Sequence, residues 1–171
     1  MGRHKIRVTK DYLSFCSGHF IIFDNNRCEH LHGHNYKVAA EIEGELNEDY
    51  LIFDFIELKH TLRDICNELD HRMLVPLRCE KLHVEVGEAS VRLTHERMGR
   101  TKEWLFPRED CVLLPIENTT AELLAVYLAG RLAEELARKS RERIGSAYVP
   151  PLLRIEVEEA PGQSATYEVP G

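Results

Sequence analysis

Seven residues, Cys28-Glu29-His30-Leu31-His32-Gly33-His34, bring together a thiol, a carboxylate and three imidazoles. Few structural needs call for that density. In an extended segment side chains two apart point to the same face, so His32 and His34 can reach one ion, and the glycine between them leaves room for a ligand. Continued at the same parity, the face reads Tyr36, Val38, Ala40 and Ile42, while Lys37, Glu41 and Glu43 lie opposite. A pair of imidazoles therefore heads a buried strand face. A catalytic zinc takes three protein ligands and keeps a fourth position for water or substrate. His19, after the small residues Ser17-Gly18, is the expected third ligand, with Cys16 as its rival; His30 is expected to stand outside the set.

Cys28 is the candidate base or nucleophile, because a nearby cation favours thiolate. As a fourth ligand it would instead close a structural zinc site. Glu29 reads either as a second acid or base or as a solvated loop residue. Asp70-His71 is either a proton relay, in which the carboxylate fixes the imidazole tautomer, or a polar helix end with His near the negative pole. Thr119-x-x-Glu122 reads as a capping box, with Glu122 returning to the backbone of the cap. Glu159 shares the parity of Ile155 and Val157, and a carboxylate on an apolar face needs a partner. A heterocycle offering two parallel N–H donors would be one; fraying into the Pro161-Gly162 turn is the alternative.

The elements that must hold these residues follow from periodicity. A strand within 5–23 leads to Phe15-Cys16-Ser17-Gly18-His19, Asp24-Asn25-Asn26 is turn chemistry, and a second strand runs from about Gly33 to Glu43. The two form a hairpin whose long connection carries Cys28. From an N-cap at Asp54, the spacing of Phe55, Leu58, Leu62, Ile65 and Leu69 predicts a helix ending near Asp70-His71. A second helix starts within Asn118–Glu122, carries Leu124, Leu128, Leu132 and Leu136, and stops at Gly145. Leu153, Ile155 and Val157, then Thr166 to Val169, read as a final hairpin. Between the helices, about residues 76–114, Leu82, Val84 and Val86 alternate, as do Val91 and Leu93, about Gly87-Glu88, which predicts a projecting β-hairpin. Trp104-Leu105-Phe106-Pro107 is an apolar cluster suited to cover something.

At 171 residues and 43% hydrophobic content the chain reads as one domain, 1–171. Lys and Arg number 22 against 29 Asp and Glu, giving a net charge of -7 without a basic run, which argues against a nucleic-acid partner. No apolar stretch reaches a membrane span, and Met1-Gly2-Arg3-His4-Lys5 leads into no signal-peptide core, so a cytoplasmic protein is expected. Five cysteines at 16, 28, 66, 79 and 111 read as reduced thiols.

Taken in order, these segments resemble the 6-pyruvoyltetrahydropterin and 6-carboxytetrahydropterin synthase family. Phe15-Cys16-Ser17-Gly18-His19 is similar to its Phe-x-Ala-Ala-His, and Cys28-x-x-x-His32-Gly33-His34-Asn35-Tyr36 to its cysteine and paired zinc histidines. Leu69-Asp70-His71, Thr120-Ala121-Glu122 and Glu159-Ala160-Pro161 with Tyr167 are similar to its Leu-Asp-His, Thr-Ala-Glu and closing Glu-Thr-Pro and Tyr. The resemblance implies an α+β tunnelling fold, a T-fold with a four-stranded antiparallel sheet and two helices on one face, ordered β-β-α-α-β-β, with 76–114 inserted. It implies a homohexamer with active sites between subunits and a small-molecule pterin substrate. It implies Zn2+ on His19, His32 and His34, Cys28 as base, Asp70 and His71 as relay, and Glu159, Glu122 and Thr120 on the substrate. The product would be 6-carboxytetrahydropterin, made from 7,8-dihydroneopterin triphosphate on the route to queuosine. The pyruvoyl product is one alternative. Glu29 in Glu-x-x-His-Gly-His points to another, 6-hydroxymethyl-dihydropterin for folate. A pterin- or purine-binding module with structural zinc is the non-enzymatic reading.

Overall fold

The computed structural model describes residues 4–171. The long first hairpin is its frame: strand β1, His4–His19, and strand β4, His32–Gly44, are antiparallel, and their connection holds two short strands, β2 at Ile22–Phe23 and β3 at Arg27–Cys28. Asp24, Asn25 and Asn26 all adopt positive φ, which short polar side chains tolerate, and this reverses the chain between β2 and β3. From Thr9 to Ser14 the chain advances five residues along β1, while the partners, Ala39 and Lys37, differ by two along β4. This bulge lies between the outer part of the hairpin and its site-bearing end.

Helix α1, Phe55–Leu69, starts where Asp54 Oδ1 accepts the Ile56 N–H at 2.7 Å. It buries Leu58, Leu62, Ile65 and Leu69 as the spacing predicts, while Phe55, the first residue of that stripe, is exposed. Helix α2, Ala121–Ile144, ends on Gly145 at φ 77°, the left-handed cap that favours glycine. Both helices pack on one face of the sheet, α1 against β1 and α2 against the closing hairpin of β10, Leu152–Ala160, and β11, Gln163–Pro170. The core between them is apolar, with Phe15, Tyr36, Ile42, Leu62, Leu128 and Ile155 all buried. The other face carries ion pairs: Arg154 reaches Glu41, Glu43 and Glu168, and Arg7 reaches Glu156.

The α+β T-fold stands, but the expected four-stranded antiparallel sheet has six strands and is mixed. Its order is β11-β10-β4-β1-β5-β9, where β5, Arg72–Pro76, and β9, Cys111–Leu114, lie parallel to their neighbours. Arg72 apart, both are apolar runs of four residues, too short for alternation to reveal. The middle section is likewise more than a hairpin. Strands β6, His83–Val86, β7, Ser90–Arg97, and β8, Arg100–Pro107, form a three-stranded antiparallel sheet. A second core of Phe20, Ile22, Met73, Val75, Val91 and Leu93 seats it against the main body. Trp104 does cover something: its ring stacks on Phe20 at 4.5 Å, directly after His19. Among the described residues no helix is long and apolar enough to cross a membrane.

Candidate active site

Register alone assembles the imidazoles. His19 faces His32 across the β1–β4 ladder and Ser17 faces His34, so His19, His32 and His34 share the side of the sheet that further along carries Tyr36 and Phe15. Cys16 pairs with Asn35 on the opposite side and is exposed, which removes it as a rival ligand. Gly33 has a different role from the one expected. A Cβ there would meet the Ser17 carbonyl oxygen at 3.0 Å, so the glycine permits close approach of the two strands rather than space for a ligand.

Each imidazole is oriented by its backbone neighbours. His19 Nδ1 donates to the Thr119 carbonyl at 2.9 Å, and His32 Nδ1 donates to the His30 carbonyl at 2.8 Å. With Nδ1 holding the proton, both Nε2 atoms present a lone pair, which is how a second shell prepares metal-binding histidines. Burial, and secondarily the positive charge that His32 or His34 would carry, pushes the His19 pKa down to about 4, so its lone pair is free at neutral pH.

Glu159, unpaired at a bulge in the β10–β11 ladder, completes the group. Its Oε1 lies 2.9 Å from His34 Nε2 and 3.6 Å from His19 Nε2. One ligand atom from each of His19, His32, His34 and Glu159 falls within 4.8 Å of the others. The Nε2 atoms of His19 and His34 are nevertheless buried without a hydrogen-bond partner among the described residues. Orphaned buried acceptors are costly, and three imidazole nitrogens with a carboxylate are a donor set suited to a divalent transition metal. The residues fit a metal ion.

Asp70 and His71 touch, although adjacency alone did not require it. Asp70 Oδ2 is 2.8 Å from His71 Nδ1, and Asp70 Oδ1 accepts the Cys16 N–H at 2.7 Å. His71 sits at φ 57°, unusual for a non-glycine residue, and its N–H donates to the Cys16 carbonyl at 2.7 Å. The imidazole is 82% exposed and displayed outward, with Nε2 making no hydrogen bond among the described residues. The Cys16 N–H, then His71, hold the Asp70 carboxyl below its usual pKa. Because the folded value is depressed, the stabilisation is present above the unfolded pKa near 3.9 and is lost as pH falls through the folded value. Asp70→Asn keeps an acceptor for Cys16 but loses the charge, so it should cost about 1 kcal/mol at pH 7 and less at pH 3, below the unfolded pKa. Urea midpoints at the two pH values check this.

Cys28 is half-buried opposite Ile22 in the β2–β3 ladder, its Sγ directed to the Glu29 carbonyl at 3.4 Å. In the protein alone the thiol pKa is raised: burial dominates, Lys102 opposes it, and Glu29 and Cys79 reinforce it. The expected fall needs a cation's charge in addition. Among the described residues no hydrogen bond joins Cys28 to Asp70 or His71. Glu29 Oε2 is 3.4 Å from the Ile21 N–H, and the charges of Glu159 and Glu29 add to burial in raising the Tyr36 phenol.

Thr120, not Thr119, caps α2, its hydroxyl accepting from Leu123 N at 3.4 Å. The capping box therefore does not form, and Glu122 is exposed in the first turn. Thr119 is committed elsewhere: its hydroxyl donates to the Phe20 carbonyl at 2.9 Å while its carbonyl orients His19. Asn118 brackets Ile22, accepting its N–H and donating to its carbonyl. Lys102 Nζ donates to the carbonyls of Cys28 and Glu29 at 3.0 and 3.2 Å. Sequence reasoning missed all three, since these roles depend on contacts some 70 to 100 residues apart.

The model of the 6-pyruvoyl tetrahydropterin synthase family matches residues 7–170. A Methanocaldococcus jannaschii protein, provisionally named 6-carboxy-5,6,7,8-tetrahydropterin synthase, is 34% identical over 91% of this chain and 89% of its own. The Haemophilus influenzae 6-carboxy-5,6,7,8-tetrahydropterin synthase is 30% identical over 75% of this chain and 83% of its own. Among solved structures, Plasmodium vivax 6-pyruvoyltetrahydropterin synthase superposes with a TM-score of 0.87 and 28% identity over 99% of both chains, in a form whose catalytic glutamate is replaced by alanine. A likeness that runs through both hairpins, both helices and the inserted sheet takes in the whole architecture, and the chain belongs to the 6-pyruvoyl tetrahydropterin synthase family.

Proposed function

We propose that this chain is a zinc-dependent lyase that converts 7,8-dihydroneopterin triphosphate to 6-carboxy-5,6,7,8-tetrahydropterin, releasing acetaldehyde and triphosphate, in the cytoplasm and on the route to 7-deazaguanines such as queuosine. The observation that carries it is the convergence of His19, His32, His34 and Glu159, one ligand atom of each within 4.8 Å of the others, in a chain whose relatives bear that synthase name. His19, His32 and His34 would hold the zinc, which supplies Lewis acidity towards the hydroxyls of the substrate side chain. Cys28 Sγ, as thiolate, would take a proton from the carbon chain of the substrate. His71 Nε2 moves protons to and from the site, its tautomer fixed by Asp70 at Nδ1. Glu159 binds the paired N–H edge of the pterin, with Glu122 and Thr120 at the start of α2 as further substrate contacts.

His71 faces outward beside Cys16, and the edge strand β11 is mostly exposed. Both features support a homohexamer in which the relay of one subunit serves the thiol of the next. Incubating zinc-loaded protein with 7,8-dihydroneopterin triphosphate and weighing the products should give 6-carboxytetrahydropterin and acetaldehyde. Recovery of unchanged substrate would leave a pterin- or purine-binding module as the better reading.

Glu29 supports a second reading, in which a carboxylate removes the proton and the product is 6-hydroxymethyl-dihydropterin. The catalytic glutamate of the Plasmodium vivax protein favours weighing it. If Cys28 alone does the work, Glu29→Ala should keep the same single product at no less than about a tenth of the wild-type rate. A shift in product distribution on mass analysis would assign the second product to Glu29, and a pyruvoyl product would assign the third branch.

A further inference from the structure

The inserted sheet carries cations that the reading above leaves unused. β7 and β8 turn tightly through Met98-Gly99, both at positive φ, which sets Arg97 opposite Arg100 and His95 opposite Lys102. Directly opposed residues of an antiparallel pair share a face, and residues two apart along one strand share it too. Arg97, Arg100, Lys102 and His95 therefore present one surface, and with Cys28 and Met98 they line a cavity of about 530 Å³.

Opposing two arginines is unfavourable unless an anion separates them. Arg92, on the same strand, is neutralised by Glu85 and Glu103, whereas among the described residues no carboxylate pairs with Arg97, Arg100 or Lys102. Arg97 Nε is buried and has no hydrogen-bond partner among the described residues. Lys102 is tied to backbone carbonyls, which fixes its ammonium beside Cys28 without cancelling its charge. His95 is buried with Nε2 3.0 Å from Asn26 Oδ1, and adds a wall rather than a charge. Three cations so arranged, in a chain of net charge -7, make a local site for an extended polyanion. Its position narrows the ligand further. In 7,8-dihydroneopterin triphosphate the phosphates begin one carbon beyond the hydroxyl-bearing carbons on which Cys28 is proposed to act, so they must leave the reacting centre close to that thiol.

We propose that the cavity between Cys28 and the Met98-Gly99 turn is the polyphosphate subsite, with Lys102 on the phosphate nearest the thiol and Arg97 and Arg100 on the outer ones. This assignment rests on the proposed substrate. Inorganic triphosphate titrated calorimetrically into the purified protein should bind at least tenfold more tightly than orthophosphate, with an affinity that falls as salt is raised. The double variant Arg97→Gln, Arg100→Gln should bind triphosphate at least thirtyfold more weakly and raise KM for the pterin triphosphate by a similar factor, with kcat within about threefold. Arg100→Gln alone, on an exposed turn, should show the same direction without risk to the fold, and Arg92→Gln should change neither quantity. Equal affinity for orthophosphate, or unchanged triphosphate affinity and KM in the double variant, would overturn the subsite. Triphosphate binding that depends on both arginines without turnover would instead keep the subsite and remove the proposed reaction.

Discussion

His34→Ala should leave the purified chain with less than a tenth of the zinc held by the wild type, measured by mass spectrometry of the metal after dialysis. The orienting carbonyls of Thr119 and His30 leave the His19 and His32 Nε2 lone pairs free, and His34 Nε2 is the third nitrogen that converges with them. Removing even an outer-shell partner of a zinc histidine typically costs ten- to a hundredfold in affinity, so loss of one of three ligands should exceed a hundredfold. The fold should survive, because what His34 Nε2 gives up is its contact with the Glu159 carboxylate at 2.9 Å, which lies within the site and outside the apolar core. Far-UV circular dichroism of the metal-free variant should therefore match the wild type. Added zinc should raise the wild-type melting temperature, by the equivalent of about 3 kcal/mol at a hundred times Kd, and leave the variant unmoved. Glu159→Gln distinguishes the roles open to that carboxylate. As the pterin anchor it should be replaced with full zinc occupancy and a higher KM; as a fourth ligand its loss should also deplete the metal. Stoichiometric zinc in His34→Ala would refute the three-histidine centre.

What the sequence disclosed and what it withheld divide along contact distance. His32 and His34 were readable because period two is a local property, and the apolar face they head is buried where parity placed it, from Tyr36 to Ile42. Both helices were legible for the same reason, their stripes repeating every three or four residues between recognisable caps. By contrast β5 and β9 are short apolar runs with no alternation, and only their parallel pairing beside β1 makes them part of the sheet. Thr119 shows the limit most plainly. Its local pattern suited a capping box, yet its side chain bonds to Phe20, 99 residues away, and the cap moves one residue on to Thr120. Tertiary demand outweighed a local motif worth about 1 kcal/mol. Lys102 was likewise one basic residue among many until the inserted sheet folded back on the Cys28 loop.

Cys28→Ala should have the second large effect, of the opposite kind: zinc retained and turnover lowered by 10²–10⁴, the usual contribution of a positioned general base. Retention follows from the geometry, since Cys28 is absent from the group whose ligand atoms converge, and its Sγ faces a carbonyl instead. Loss of rate follows from the role, but the role has a requirement that the protein alone does not meet. Burial foremost, then Glu29 and Cys79, keep the thiol protonated, and only Lys102 among its neighbours favours thiolate. The rate should consequently rise with pH as the thiol ionises. Removing the ammonium with Lys102→Met should move that limb to higher pH, because the charged form loses its one favourable neighbour. Alkylation of Cys28 by iodoacetamide, located by peptide mass so that exposed Cys16 is counted separately, should show the same limb, and should be faster with zinc bound than without. A variant without the thiol that still turns over within tenfold of wild type would take the base away from Cys28. The nearest remaining candidate would then be Glu29, one residue along the same loop.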